Sequence, residues 1–358
     1  MGERLFRDPY CHSFLRYTTP MAAPSNAFSL YGQYIAARLA AMAMTCFPVE
    51  DNLDTARAIG RMMHLLDKRH RKRAARAIAR SFPEWSEQRV RDVTLASFEH
   101  FMQLAVEVIH TPREIHHESW IAHVDIGNLE RGIELFHSKT GVIMITGHLG
   151  NWEMLGYTLA TLGYDLDAIA RPIDHPLIND WLMGIREQQG MRIITKWDAT
   201  DRMLNVLNTG GALAFIADQN AGDKGMFVPF FGKLASSYKS IGLLAISQHV
   251  PVVCGYAHRT GPGFRYELGL TDVILPEDWE AQPDPLYYVT ARYNRAIETA
   301  IRKRPEQYLW MHRRWKSRPR FEREGKPMPA ALRSRLEELP WMDDAQMRSL
   351  EQPVTDGR

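Results

Sequence analysis

The sequence is poor in the features that classify a chain most quickly. It has three cysteines, Cys11, Cys46 and Cys254, scattered without CxxC or zinc-type spacing. That excludes a disulfide framework and points to reduced, mostly inert thiols in a cytosolic setting. Net charge is only +2, so any preference for charged partners has to reside in local patches. No apolar run is both long and clean. The most membrane-like stretch, residues 30–47 (LYGQYIAARLAAMAMTCF), is diluted by alanine and contains Gln33 and Arg38. It reads as a helix lying in a membrane interface or packed on the domain in preference to a spanning one. Residues 1–17 are charged and aromatic without a small-residue cleavage site, unlike a cleavable signal peptide. His110, His116, His117, His123 and His312 invite a metal reading, but no HExxH or clustered carboxylate pattern accompanies them, and no metal site is expected.

What is present is ample apolar material for a core, 45% of 358 residues, and one organising stretch, GVIMITGHLGNWE, residues 141–153. Its apolar run has the length of a strand buried on both faces. The run breaks at Gly147, places His148 at the strand's end, and offers Asn151 as N-cap of a following helix. Ligands of open α/β sheets bind at that carboxyl edge. Glu153, in the helix's first turn, is within reach of a fold back toward the imidazole. A histidine base oriented by a carboxylate is a Ser-His-Asp triad without the serine. The nucleophile is then a hydroxyl of the substrate.

From residue 141 strand-like and helix-like segments alternate: strands at 166–170, 192–195, 212–217 and 252–257, helices at 175–190, 200–208, 239–249 and 287–304. The alternation predicts an α/β fold with a mostly parallel sheet flanked by helices; residues 264–270 read as an edge strand. Ahead of it lies a helical region with a densely basic helix at 68–80 (KRHRKRAARAIAR). That helix is either a solvated face or a contact for anionic head groups. No helix-turn-helix, zinc finger or RNP-type motif accompanies it, so nucleic acid is not expected as a partner. The expected divisions are an irregular 1–28, a helical membrane-associating 29–125, an α/β unit 126–319 and a polar 320–358, with the last ~30 residues loosely held.

Several segments follow strand ends or carry dense charge. Arg171-Pro172 follows the strand at 166–170, and a guanidinium there suits a phosphate or pairs with a local acid such as Asp174. Asp218-Gln219 follows the strand at 212–217, then come Lys224-Gly225 and FVPFFG at 227–232. Residues 306–319 read EQYLWMHRRWKSRP; these cations flanked by tryptophans suit a phosphorylated glycolipid at a membrane, or a segment locked on the domain by cation–π contacts.

HLGNWE resembles the His-x4-Asp/Glu motif of the glycerolipid acyltransferase superfamily, and GHLGNWE its late lipid A acyltransferase branch, the lauroyl and myristoyl transferases. IARPIDHPLIND, the DQ…KG…FVPFFG block, Pro251-Val252-Val253 and EQYLWMHRRWKSRP resemble further blocks of that branch, in order, over residues 70–319. The resemblance implies a glycerol-3-phosphate acyltransferase-like fold and an O-acyltransferase at the cytoplasmic face of the inner membrane, peripheral or N-terminally anchored. It implies acyl carrier protein or coenzyme A thioester as donor, no cofactor, and a phosphorylated lipid A precursor as acceptor. His148 and Glu153 would be catalytic; Arg171, Asp218, Lys224, Arg313 and Arg314 would bind substrate, and the aromatics of 227–231 would line an acyl groove or lie in the core. Where the branch usually has threonines this chain has Ser236 and Ser237, followed by Tyr238 and Lys239. Alternatives are the same chemistry on another glycolipid or aminolipid, such as a phosphatidylinositol mannoside, and a non-catalytic lipid-binding relative.

Overall fold

The computed structural model describes residues 24–188, 190–195 and 199–351, without the side chains of 24–27 and 199. The sequence expectations for residues 1–23, Cys11 among them, and for residues beyond 351 lie outside the described residues.

Four helices come first: α1 (Pro24–Thr45), α2 (Val49–Leu66), α3 (Lys68–Ser81) and α4 (Glu87–Glu114). The helix at 30–47 therefore begins earlier than expected. Asp67 caps α3 by accepting the His70 N–H, and Ser86 caps α4 by accepting that of Arg89. No helix among the described residues is long and apolar enough to cross a membrane. α2 was not evident in the sequence. It lies tight on α4, because a Cβ at Gly60 would come within 2.5 Å of the Glu99 Cα.

The sheet follows. Its elements in chain order are β1 (Val124–Ile126), α5 (Glu130–His137), β2 (Val142–Thr146), α6 (Trp152–Thr161), β3 (Leu166–Ile169), α7 (Pro176–Glu187), β4 (Arg192–Ile194), α8 (Ala199–Asn208) and β5 (Ala212–Ile216). A two-stranded hairpin, β6 (Met226–Phe230) and β7 (Lys233–Ser237), leads to α9 (Lys239–Gln248), β8 (Val252–Arg259), β9 (Tyr266–Ile274), α10 (Pro276–Glu280) and α11 (Pro285–Lys303). The seven-stranded sheet has the order β1-β9-β8-β2-β5-β3-β4. Every pairing is parallel except β8 with β9, as the α/β reading requires. β9 is not the edge strand expected at 264–270, since β1 covers it.

β2 is central and alternates between two cores. Ile143 and Ile145 face the cluster that holds α3, α9, α11 and the hairpin. Val142 and Met144 face the one that holds α2, α6 and β1. Phe230 and Phe231 are buried in the first cluster, Phe231 against Phe82 and Trp310, so these aromatics are core and not an acyl groove. The hairpin turns through Phe231 and Gly232, both at positive φ (51° and 64°), as a two-residue turn of this kind needs.

Residues 320–351 are not loosely held. α12 (Arg320–Arg323), α13 (Ala330–Glu337) and α14 (Asp344–Glu351) follow, and Leu336, Leu339, Met347 and Leu350 are buried in the first cluster.

Candidate active site

β2 pairs with β5 in a register that sets Thr146 opposite Ile216. His148 and Asp218 each lie two residues beyond those positions, at the carboxyl edge of adjacent central strands. Their side chains meet: His148 Nδ1 is 2.7 Å from Asp218 Oδ1. With the carboxylate ionised, Nδ1–H donates to it and Nε2 keeps its lone pair, the arrangement of a general base. Gln219 Nε2 lies 3.4 Å from that Nε2. Burial disfavours the charged ring, but the charge and hydrogen bond of Asp218, with the charge of Glu153 behind them, outweigh it and raise the His148 pKa. Burial pushes the Asp218 carboxyl up, and its histidine partner more than reverses this, holding it at about 2.

The carboxylate expected to orient His148 was that of Glu153, and the structure puts it elsewhere. Arg186, on α7, grips both oxygens of Glu153, Nε at 2.8 Å and Nη2 at 2.5 Å, and Trp152 Nε1 donates to it at 3.2 Å. Glu153 acts on His148 through its charge, and Asp218 occupies the orienting position.

The turn that carries His148 is fixed from several sides. Gly150 donates to the Gln307 carbonyl, Asn151 to that of Ala257, and Leu309 to that of His148. Asn151 caps α6 as expected, accepting the Met154 N–H. Its amide nitrogen donates to Glu107, which also binds Arg259 Nε at 2.5 Å. Arg259 further donates to Gln103 and to His100 Nδ1. His100 must therefore carry its proton on Nε2, 3.1 Å from the Gly150 carbonyl. Glu107, Arg259, His100, Gln103 and Asn151 are all buried. Burial, then the Arg259 charge, holds the His100 pKa well below its ordinary value. The sequence offered no sign of this network beyond polar residues on an otherwise apolar face of α4.

Two cavities flank His148. The Trp152 ring, 5.0 Å away centre to centre, borders a narrow apolar cavity of about 60 Å³ reaching Met144, Ala168, Met191 and Ala214, with Glu153 and Arg186 beside Trp152. The His312 ring, 4.9 Å away, borders a cavity of about 440 Å³ between α3 and the segment 312–318. Burial, then the nearby His148, lowers the His312 pKa.

The expected substrate-binding cations are dispersed. Arg313 is exposed at the larger cavity, whereas Arg314 is buried, 2% exposed. Its guanidinium donates to the Ser236 carbonyl, Ser237 Oγ and Asn294 Oδ1 and lies over Phe230. Arg314 thus anchors the segment, and Ser236 and Ser237 belong to that buried anchor. Arg171 and Lys224 are exposed on loops and line neither cavity. Among the described residues no group of three His, Cys, Asp or Glu side chains is arranged to hold a metal.

A family profile for bacterial lipid A biosynthesis acyltransferases matches residues 25–317. The chain belongs to that family. It is similar to the lipid A biosynthesis lauroyltransferase of Escherichia coli K12, with 26% identity over 73% of this chain and 84% of the relative. It is also similar to the palmitoleoyltransferase of that organism, with 25% identity over 73% and 83%. A lipid A biosynthesis acyltransferase of Haemophilus influenzae is 30% identical over 51% of this chain and 58% of the relative. The chain is an acyltransferase, as its family membership and these relatives show.

Proposed function

We propose that this acyltransferase moves a fatty acyl group from a thioester, on acyl carrier protein or coenzyme A, to a hydroxyl of a lipid A precursor at a membrane surface. The observation that carries the chemistry is the His148–Asp218 pair at the carboxyl edge of the central strands. Nε2 of His148 removes the proton of the acceptor hydroxyl. Asp218 holds the ring in the productive tautomer and stabilises the imidazolium that forms. The alkoxide attacks the thioester carbonyl, the C–S bond breaks, and the thiolate leaves with a proton from His148. The amides of Leu149, Gly150 and Asn151 are spent on carbonyls and that of Met154 on the Asn151 cap, which leaves the N–H groups of Trp152 and Glu153 as the backbone donors for the developing oxyanion. The Trp152 cavity supplies the apolar surface for the acyl chain. Glu153, clamped by Arg186, ties α6 to α7 beside that cavity.

The exposed face of α1 supports membrane attachment. Phe28, Tyr31, Ile35, Leu39 and Met42 recur at helical spacing and are each more than half exposed, Phe28 at 91%. Leu65 and Leu66 add exposed apolar surface at the end of α2, directly before the basic α3. An apolar stripe next to cations suits an in-plane helix on an anionic leaflet. Relatives named for lipid A acyl transfer support the acceptor.

The decisive assay uses purified protein with acyl thioesters and lipid A precursors, alongside the His148→Ala variant. Transfer by the wild type and none by the variant is expected. Near wild-type turnover by a folded His148→Ala protein would remove the mechanism, and unchanged lipid A acylation in cells lacking the protein would remove the acceptor.

A further inference from the structure

A charged network lies in the dry interior behind the His148 turn, and the acyl-transfer step itself uses none of its members. Burying a glutamate and an arginine is costly even when they pair, and apolar side chains of similar size often serve stability as well. The hydrogen bonds of this network converge on one peptide group, that between Gly150 and Asn151. Its carbonyl, on Gly150, receives the Nε2–H of His100 at 3.1 Å, and its N–H, on Asn151, donates to the Ala257 carbonyl at 2.8 Å. The Asn151 side chain donates to Glu107 at 2.9 Å, and Glu107 holds Arg259.

Arg259 closes the loop twice. Its guanidinium donates to His100 Nδ1 at 2.8 Å, which leaves the ring proton on Nε2, facing Gly150. Its backbone N–H and carbonyl grip the two ends of the Gln307 side-chain amide, at 2.9 and 2.8 Å, and the Gln307 carbonyl receives the Gly150 N–H at 2.9 Å. Burial and the Arg259 charge keep the His100 ring neutral, so it offers one donor to Gly150 and one lone pair to Arg259. Gly150 has φ of +55°. Glycine has little conformational preference of its own, so the orientation of this peptide has to come from its partners.

We propose that His100 is a positioning residue for acyl transfer: its Nε2–H fixes the Gly150–Asn151 peptide, and with it the N–H groups of Trp152 and Glu153 on one side and the His148 ring on the other. The inference rests on the acyl-transfer reading above. His100 is buried and lines neither of the two cavities, so its influence passes through the turn and not through contact with substrate.

Two substitutions in the full-length protein separate the two ends of the ring. His100→Gln keeps a donor where Nε2 stands and gives up the lone pair at Nδ1. His100→Asn keeps an acceptor near the Nδ1 position and loses the donor to Gly150. His100→Asn is expected to lower kcat at least about tenfold, with the KM for thioester and acceptor within about twofold of wild type, because misaimed donors cost rate and not binding. His100→Gln should stay within about threefold of the wild-type kcat. Each variant loses one bond of the network, so their unfolding midpoints should fall alike and cannot account for the split. Amide exchange over residues 148–153, read by mass spectrometry, should quicken in His100→Asn alone. A wild-type kcat in His100→Asn, or equal losses in both variants, would leave His100 a purely structural role and overturn the proposal. Should neither variant fold, nitrogen-15 shifts of histidine-labelled wild type decide: a proton on His100 Nε2 supports the proposal and a proton on Nδ1 overturns it. If the wild type transfers nothing to lipid A precursors, the acyl-transfer reading fails, while exchange that quickens only in His100→Asn still establishes His100 as the support of the turn.

Discussion

His148 and Asp218 stand two residues beyond facing positions of adjacent parallel strands, and their side chains meet at 2.7 Å. In the proposed mechanism neutral His148 is the base, and its pKa is raised from the ordinary 6.5, so the rate should climb with pH through a midpoint above that value. Asp218→Asn removes the largest raising influences and leaves burial, which lowers the pKa, opposed only by the charge of Glu153. The acid limb should then move to lower pH, while kcat falls roughly 10³- to 10⁴-fold because the tautomer and the imidazolium are no longer held. A pH–rate profile of both proteins checks this; an unmoved limb would remove Asp218 from the base.

Glu153 reaches the reaction by another route. Losing it strands the Arg186 guanidinium, so Glu153→Ala should lower transfer strongly. Exchanging the charges, Glu153→Arg with Arg186→Glu, should recover at least tenfold of that loss if the clamp is what matters. No recovery in the double variant would return Glu153 to direct contact with the reacting groups. Rates of the two single variants and the double variant close the cycle.

Breaking the buried Glu107–Arg259 pair leaves one charge in a dry interior. Glu107→Gln or Arg259→Met should each cost about 3–5 kcal/mol of unfolding free energy, and replacing both by methionine should cost less than the sum. Urea unfolding measures all three.

Gly150 has φ of +55°, and a Cβ there would lie 2.0 Å from the Ala257 carbonyl oxygen. Gly150→Ala must shift the turn that carries His148. A displacement near 1 Å should lower kcat about 10²-fold in a protein whose circular dichroism is unchanged.

Membrane attachment through α1 is tested by vesicle flotation. Serine at Ile35, Leu39 or Met42 should weaken binding to anionic vesicles roughly tenfold per side chain, with turnover on detergent-dispersed substrate preserved.

Much of this architecture was legible because buried parallel strands announce themselves as short continuous apolar runs; β2, β5 and β8 fell where residues 142–146, 212–217 and 252–257 placed them. Asn151 was legible as a cap because helix starts have a side-chain chemistry of their own. α2 escaped because Gly60 and Asn52, which make part of its contact with α4, carry no hydrophobic signal. The hairpin escaped because Phe231, not the usual asparagine or glycine, takes the first left-handed position of its turn. The orienting carboxylate was misread because nearness along the chain favoured Glu153. What decides the matter is that β5 is the neighbour of β2, and strand order is a property of the whole sheet. One clue was available: His148 and Asp218 stand just past the ends of similar apolar runs.

The backbone bonds between the His148 turn and residues 307–309 also bear on biosynthesis. A nascent chain that has extruded His148 and Asp218 still lacks the carbonyl that receives the Gly150 N–H and the N–H that binds the His148 carbonyl. Until that late segment leaves the ribosome and docks, the turn lacks two of the backbone bonds that hold it. On the proposed mechanism, the His148 turn is therefore expected to be completed only after this late segment has docked.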